Sequence, residues 1–295
     1  MTFDIEDWFH LLEHEETANE HQWSRFESRI QRNTDQILEC LAEADVKATF
    51  FCLGWIGRNH PQVIKAIHQA GHEIGSHSDK HSLVYRLTPS QFQEDLLRSI
   101  RSLEDITGQR IRAYRSPGFS ITANSTWAFS LLAENGIEWD SSIFASKHSH
   151  GGLPSFNSRR PTIIEYNGAR MKQFPVVPST LFGRQINFAG GGYFRLLPYP
   201  LIRHLMSNSS YVMTYFHPRD FDPGQPLVPG LPPYRAFKSY VGLRSSLQKF
   251  KTLLMDFNFV SIGDADRLIE WSRQPALCLS PCQQLYSTGG DSYAA

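Results

Sequence analysis

The run Ala70-Gly71-His72-Glu73-Ile74-Gly75-Ser76-His77-Ser78-Asp79-Lys80-His81 decides how this chain is read. A helical pattern from Pro61 to Gln69 stops at Gly71, and a β-like segment follows through Glu73-Ile74-Gly75. A polar cluster carrying two histidines four apart comes directly after it. Helix, strand, then a loop rich in reactive side chains is the order of a parallel α/β fold, whose function sits at the carboxyl ends of the strands. At that spacing His77 and His81 can close on one divalent cation from the same side.

The same alternation extends in both directions. Val46 to Gly54 reads as a buried strand behind a helix from Ile30 to Ala44. Thr88 suits an N-cap, Pro89 the first turn, and Gly108 the end of a long amphipathic helix. Arg112-Ala113-Tyr114 is the next strand, followed by a helix from Ser125 to Asn135 and a strand at Ile137-Glu138-Trp139. Thr162 to Val177 alternates as a hairpin or meander, Tyr211 to Phe216 reads as a strand, and Pro223 to Pro233 as a proline-rich loop. Leu243 to Phe257 is helical in pattern, and Phe259-Val260-Ser261-Ile262 reads as a last strand. Gly190-Gly191-Gly192 is no phosphate loop, because no lysine and no clear helix follows it. It suits a tight turn or a close backbone approach to a sugar. Residues 1–274 read as one domain, and residues 275–295, which lack periodicity, as a disordered tail.

With Lys+Arg and Asp+Glu equal at 29 each, the chain has no electrostatic footprint for nucleic acid or an anionic membrane. No apolar run approaches the length of a transmembrane span and no leader pattern is seen, so the expected location is the cytoplasm, peripheral to the inner membrane. Cys40 and Cys52 read as small buried apolar residues, and Cys278 and Cys282 lack partner histidines for a zinc knuckle.

The polar clusters that follow strands are Asp4-Ile5-Glu6-Asp7, His77 to His81, Arg115-Ser116-Pro117-Gly118, Asp140-Ser141-Ser142 and His217-Pro218-Arg219-Asp220. Three carboxylates within four positions are costly unless something positive sits among them. Two histidines and one carboxylate leave coordination positions open, which is the catalytic rather than the structural pattern. The third ligand is Glu6 or Asp7, not both. Strand alternation puts Asp4 and Glu6 on one face and favours Glu6, whereas a strand ending at Ile5 would let Asp7 swing in. Zinc heads the list of cations, and Co, Ni, Mn or Fe also suit these ligands.

In their order and spacing these motifs resemble the NodB-type polysaccharide deacetylases, carbohydrate esterase family 4. Trp139 to Phe144, Phe174 to Pro178 and Gly190 to Arg195 look like the subfamily encoded in exopolysaccharide loci. The resemblance implies a distorted (β/α)7 barrel and removal of N-acetyl groups from N-acetylhexosamine units of an exopolysaccharide or its lipid-linked precursor. It also implies association with an exopolysaccharide synthesis complex. His77, His81 and a first-motif carboxylate would bind the metal, Asp4 would be the general base, Arg115 would hold Asp4, and His217 would protonate the departing amine. One departure stands out: the usual first motif has two adjacent aspartates and a glycine, where this chain has Asp4-Ile5-Glu6-Asp7-Trp8. The rival readings are an allantoinase-like cyclic amide hydrolase and an inactive carbohydrate-binding protein.

Other polar residues have duller expectations. His10, His14, His21, His60, His68 and His204 read as surface or satisfied, and His148 and His150 as members of a solvated loop. Asp140 suits an Asx-turn, and Asp220 either orients His217 or binds nearby backbone.

Overall fold

Short strands buried on both faces form the centre of the molecule: β1 (Thr2–Ile5), β2 (Thr49–Cys52) and β3 (Glu73–Ser76). Such runs suit parallel strands covered by helices, where neither face meets water. The computed structural model describes residues 1–279, except for residues 13, 18, 19, 182 and 229. β1 pairs with β2, β2 with β3, β3 with β4 (Ala113–Tyr114) and β4 with β5 (Trp139–Asp140), all parallel. β6 (Thr162–Tyr166) and β7 (Ala169–Gln173) form an antiparallel hairpin, and β7 lies parallel against β5. Asn167 and Gly168, both at positive φ, make its two-residue turn.

The segment expected as a strand at Tyr211 to Phe216 forms no regular ladder. Asp4 N–H donates to the Phe216 carbonyl at 2.8 Å and Phe216 N–H to the Thr2 carbonyl at 3.3 Å, but Thr2 N–H donates to the Thr214 hydroxyl at 2.8 Å. A side chain there takes the bond that a backbone carbonyl would accept in a ladder. No ladder joins this segment to β7 among the described residues. Phe174, Val176 and Met213 fill the seam, and the Tyr211 hydroxyl donates across it to the Pro175 carbonyl at 3.0 Å. The result is an α/β fold in which helices surround a parallel sheet curved into a distorted barrel.

Side-chain alternation along β1 assigns its two faces. Phe3 stacks on Phe50 at 4.8 Å, and Phe216, Phe221 and Phe250 close around them beneath the helix Leu243–Asp256. Thr2 and Asp4 face the other way, toward the buried Arg115. The helices Ile30–Glu43, Pro61–Gln69 and Pro89–Thr107 lie where the pattern predicts them. The last starts in a capping box between Thr88 and Gln91 and ends at Gly108 with φ 66°.

Three further expectations are corrected. Phe259 to Ile262 is not a strand: Ser261 caps a helix, Ile262–Leu268, by accepting from Asp264 N–H at 3.0 Å. A serine hydroxyl at this position outweighs the apolar run that precedes it. Gly190 to Gly192 does run into a helix, Gly191–Leu196, and a Cβ on Gly190 would collide with the Tyr215 ring at 2.5 Å. The expected tail begins too early, because β10 (Ala276–Cys278) pairs parallel with the edge strand β6. The rest of that tail, from residue 280 and including Cys282, lies outside the described residues. A separate ribbon of β8 (Ser179–Leu181) and β9 (Arg184–Ile186) completes the strands. No helix among the described residues is long and apolar enough to cross a membrane.

The helix Gly54–Asn59 starts against the 77–81 turn, with Gly54 N–H donating to Ser78 and Trp55 N–H to Asp79, both at 3.0 Å. A Cβ on Gly54 would lie 2.8 Å from the Ser99 backbone. Gly54→Ala is therefore expected to lower the unfolding free energy by about 1–3 kcal/mol, measured by urea denaturation. An unchanged transition would show that the turn is loosely packed.

Candidate metal and catalytic site

β3 delivers the first histidine. His77 N–H still donates along the sheet to the Cys52 carbonyl at 2.9 Å, and the chain then reverses through Ser78 (φ 69°) and His81 (φ 58°). Left-handed backbone is uncommon outside glycine and persists where the surroundings over-determine it. Here Ser78 Oγ accepts from His81 N–H at 3.0 Å. The buried Asp79 carboxylate pairs with Arg58 at 3.0 Å and Arg98 at 3.3 Å, and Asp79 N–H donates to Asp95 at 2.5 Å. Burial pushes the Asp95 carboxyl up to about 6. This network aims both imidazoles at one point.

Glu6 meets them there. Its Oε1 lies 2.9 Å from His77 Nε2 and 2.9 Å from His81 Nε2, and all three groups are buried. Asp7 goes elsewhere. Its carboxylate accepts from Ser28 Oγ at 2.6 Å, Trp8 N–H at 2.8 Å and Arg29 N–H at 3.0 Å, at the N-terminus of the helix Ile30–Glu43. That end carries unsatisfied N–H groups and a favourable dipole for an anion. The conditional reading of the strand does not hold: β1 ends at Ile5, yet Glu6 joins the histidines. The chain turns at once, with Glu6 N–H donating to the Asp4 carbonyl at 3.1 Å, while the helix end draws Asp7 away.

The protonation of His77 tests whether a cation fits. Its Nδ1 lies 2.8 Å from the Arg115 carbonyl oxygen, which can only accept, so Nδ1 carries a proton. The other nitrogen of a neutral ring then presents a lone pair to Glu6 Oε1 at 2.9 Å. Such a contact is repulsive unless a second proton or a metal ion lies there. Burial would raise the Glu6 carboxyl, but without a metal, positive charge at His81 and His217 and protons shared with His77 and His81 hold it well below the carboxylate range. Two imidazoles and one carboxylate, with ligand atoms within 4.8 Å of one another, suit a divalent cation.

A second pair of groups faces this point. Asp4 Oδ1 accepts from Arg115 Nη1 at 2.7 Å, and Asp4 Oδ2 lies 3.8 Å from His217 Nε2. Arg115 has no solvent exposure. It also donates to Thr2 Oγ1 at 2.8 Å and Ser141 Oγ at 2.8 Å, and lies 4.3 Å over the Phe51 ring. Asp220 does both things expected of it, accepting from His217 N–H at 2.9 Å and facing His217 Nδ1 at 3.3 Å. Asp220 in turn pairs with the buried Arg195 at 3.2 Å. Burial alone would lower the His217 pKa, but Glu6, Asp220 and Asp4 override it and raise it to about 9. A cavity of about 290 Å³ opens over these groups.

Several duller expectations change. His10 is buried beside Trp23, its Nδ1 accepting from Asp7 N–H at 2.8 Å and its Nε2 lacking a hydrogen-bond partner. Burial pushes its pKa well down. His148 packs on Phe144 at 4.7 Å rather than standing in solvent, and His148 and His150 both line the cavity. Asp140 is the expected Asx-turn residue, accepting from Ser142 N–H at 2.8 Å. Sequence reasoning marked Gly190 to Arg195 only as part of the resemblance and gave Arg195 no role, which its pairing with Asp220 now supplies. It also missed the arginine pair that holds Asp79.

Comparisons with known proteins follow this geometry. Residues 14–136 match the polysaccharide deacetylase family model, and residues 141–266 match a domain of unknown function, DUF3473. A peptidoglycan-N-acetylglucosamine deacetylase of Bacillus cereus is 30% identical over 96 residues, 32% of this chain and 35% of that protein. A peptidoglycan deacetylase of Helicobacter pylori is 28% identical over 113 residues, 37% of this chain and 36% of that protein. The chain thus spans about a third of the length of these curated relatives. Among solved structures, a candidate polysaccharide deacetylase from Mycobacterium smegmatis superimposes with a TM-score of 0.63 at 18% identity, covering 93% of this chain and 90% of that one. The PuuE allantoinase gives 0.52 at 18% identity, covering 80% and 71%. At these identities the structural likeness concerns the fold.

Two outcomes are expected. Asp7→Ala leaves buried N–H groups unpaired at a helix start and should cost about 1–3 kcal/mol in urea denaturation; a loss below about 0.5 kcal/mol would contradict its capping role. In metal-free protein His217 should titrate near 9 by NMR, and Asp220→Asn should bring that value down. Because the folded value lies above the usual 6.5, His217 contributes stability that is complete below about pH 6.5 and lost as pH rises through about 9. Titration near 6.5 would overturn this electrostatic account.

Proposed function

Because the chain belongs, through residues 14–136, to the NodB-type polysaccharide deacetylases, we propose that it is a metal-dependent N-deacetylase of polymeric N-acetylhexosamine. The observation that carries the metal dependence is the contact of Glu6 with both Nε2 atoms at 2.9 Å, with the His77 proton fixed on the opposite nitrogen. Glu6, His77 and His81 would hold the cation, and zinc is the first choice for this ligand set. When bound, the cation would supply the Lewis acidity that makes water a nucleophile at neutral pH and polarises the amide carbonyl.

The protein's own groups divide the proton transfers. Asp4 Oδ2, left open because Arg115 occupies Oδ1, takes a proton from the attacking water. Arg115 fixes the rotamer of that base. His217, held by Asp220, donates from Nε2 to the departing nitrogen, which is a poor leaving group until protonated. The Asp220 carboxylate facing Nδ1 favours the protonated ring that this step needs. Base and acid stand 3.8 Å apart, close enough for both to act on the same amide group.

Relatives named for deacetylation of peptidoglycan support an N-acetylated sugar polymer as substrate. The resemblance of Trp139 to Phe144, Phe174 to Pro178 and Gly190 to Arg195 to exopolysaccharide-locus proteins extends the proposal to an exopolysaccharide or its lipid-linked precursor. Its setting would be a synthesis complex at the cytoplasmic side of the inner membrane.

Acetate release from an N-acetylglucosamine hexamer tests the reading. Activity should vanish with a chelator and return with Zn or Co. Asp4→Asn should lose about 10²–10⁴-fold in turnover with its metal still bound. Glu6→Gln should lose the metal, and Asp7→Asn should keep it. Full activity after exhaustive chelation, or metal lost from Asp7→Asn and kept by Glu6→Gln, would overturn the assignment.

A further inference from the structure

The catalytic cavity holds more positive charge than its chemistry uses. Each carboxylate that lines it has a partner of its own: Asp4 has Arg115, Asp220 has Arg195, and Glu6 has the two imidazoles. Arg219 and Lys238 line the same cavity, and among the described residues no carboxylate forms an ion pair with either. Lys238 stands in solvent, its Nζ 5.0 Å from the Tyr234 ring centre.

Arg219 is the more telling of the two, because it is largely withdrawn from water. Its Nη1 donates to the Trp8 carbonyl at 3.2 Å, the one side-chain hydrogen bond it makes among the described residues. Nη2 is closed off from solvent, whereas Nε is open and without a partner among the described residues. Burial pulls its pKa below the usual value against the charge of Asp220, and Arg195 adds to the depression. Holding one carbonyl does not require a charge. A desolvated guanidinium without a counter-ion costs stability, and an anion entering the cavity would recover part of it.

The position of Arg219 says where that anion belongs. It follows His217 by two residues, and its partner Trp8 follows Glu6 by two. The guanidinium thus bridges the loops that carry the proton donor and a metal ligand. A group paired with it stands beside the reacting acetamide, on the sugar being processed.

We propose that Arg219 determines specificity by recognising an anionic group, a carboxylate or a phosphate, carried by the N-acetylated sugar. This rests on the deacetylase reading above and names its substrate class: an acidic N-acetylhexosamine in preference to a neutral one. A guanidinium suits both oxyanions, and the test separates them.

The test is calorimetric binding to the chelator-stripped full chain, so that neither turnover nor a metal–phosphate bond intervenes. The probes are N-acetylglucosamine, N-acetylglucosamine 1-phosphate and N-acetylmuramic acid. At least one acidic sugar should bind about tenfold more tightly than the neutral one, and that preference should shrink as salt is raised. Preference for the first acidic probe alone assigns a phosphate, and for the second alone a carboxylate. Arg219→Gln should bring the ratio down to about one, and Arg219→Lys, which keeps the charge, should retain part of it. An arginine that only holds the Trp8 loop would, when replaced, weaken all three probes together and leave the ratio intact.

Circular dichroism checks that Arg219→Gln folds, and if it does not, the salt dependence of the wild type decides. Equal binding of the three probes, binding of none, a preference that survives Arg219→Gln, or one unmoved by salt would overturn the proposal. Acetate release from the neutral hexamer by zinc-loaded wild type is scored separately. Release without an acidic preference overturns the role of Arg219 alone, and an acidic preference without release overturns the deacetylase reading alone.

Discussion

A guanidinium with no exposure to solvent organises this molecule. Arg115 sits inside the barrel at the end of β4, and a buried charge is tolerated only where every donor finds a partner. Its side chain joins β1, through Thr2 and Asp4, to the loop after β5, through Ser141. Its backbone carbonyl accepts from His77 after β3 and thereby fixes which nitrogen of that ring faces Glu6. One residue therefore holds the proposed base and sets the tautomer of a proposed metal ligand. Removing one partner of such a buried pair commonly costs about 3–5 kcal/mol, so stability and chemistry are not separable at this position.

The site arises from a disagreement between two acidic neighbours. Glu6 and Asp7 are adjacent, and the environment gives each one destination. A helix start with unsatisfied N–H groups takes Asp7, and the paired imidazoles take Glu6. The departure of this first motif from the usual pair of aspartates is thus accommodated by local geometry. Around the reacting centre the groups come in supported pairs: Arg115 behind Asp4, and Asp220 with Arg195 behind His217.

Much of this was legible in the sequence. The parallel α/β pattern, the long capped helix from Pro89, and the positions of His77, His81, Asp4, Arg115 and His217 follow from periodicity, capping residues and motif order. Tertiary context decided the rest. The apolar run at Phe259 looks like a strand, but Ser261 starts a helix beyond it. Ala276 to Cys278 has no periodicity of its own and becomes a strand only because β6 offers an edge. The role of Arg195 could not be read from its motif, because its partner Asp220 lies 25 residues further along the chain. Whether Glu6 or Asp7 turns toward the histidines depended on the helix at Ile30, which no reading of residues 4–7 alone contains.

The central claim is that Glu6, His77 and His81 together hold a divalent cation. X-ray absorption of the zinc-loaded, full-length protein tests it most directly. The account predicts a nearest shell of nitrogen and oxygen only, with the multiple-scattering signature of two imidazoles, reduced to one imidazole in His81→Ala. A shell containing sulfur, or one with no imidazole signature, would contradict it.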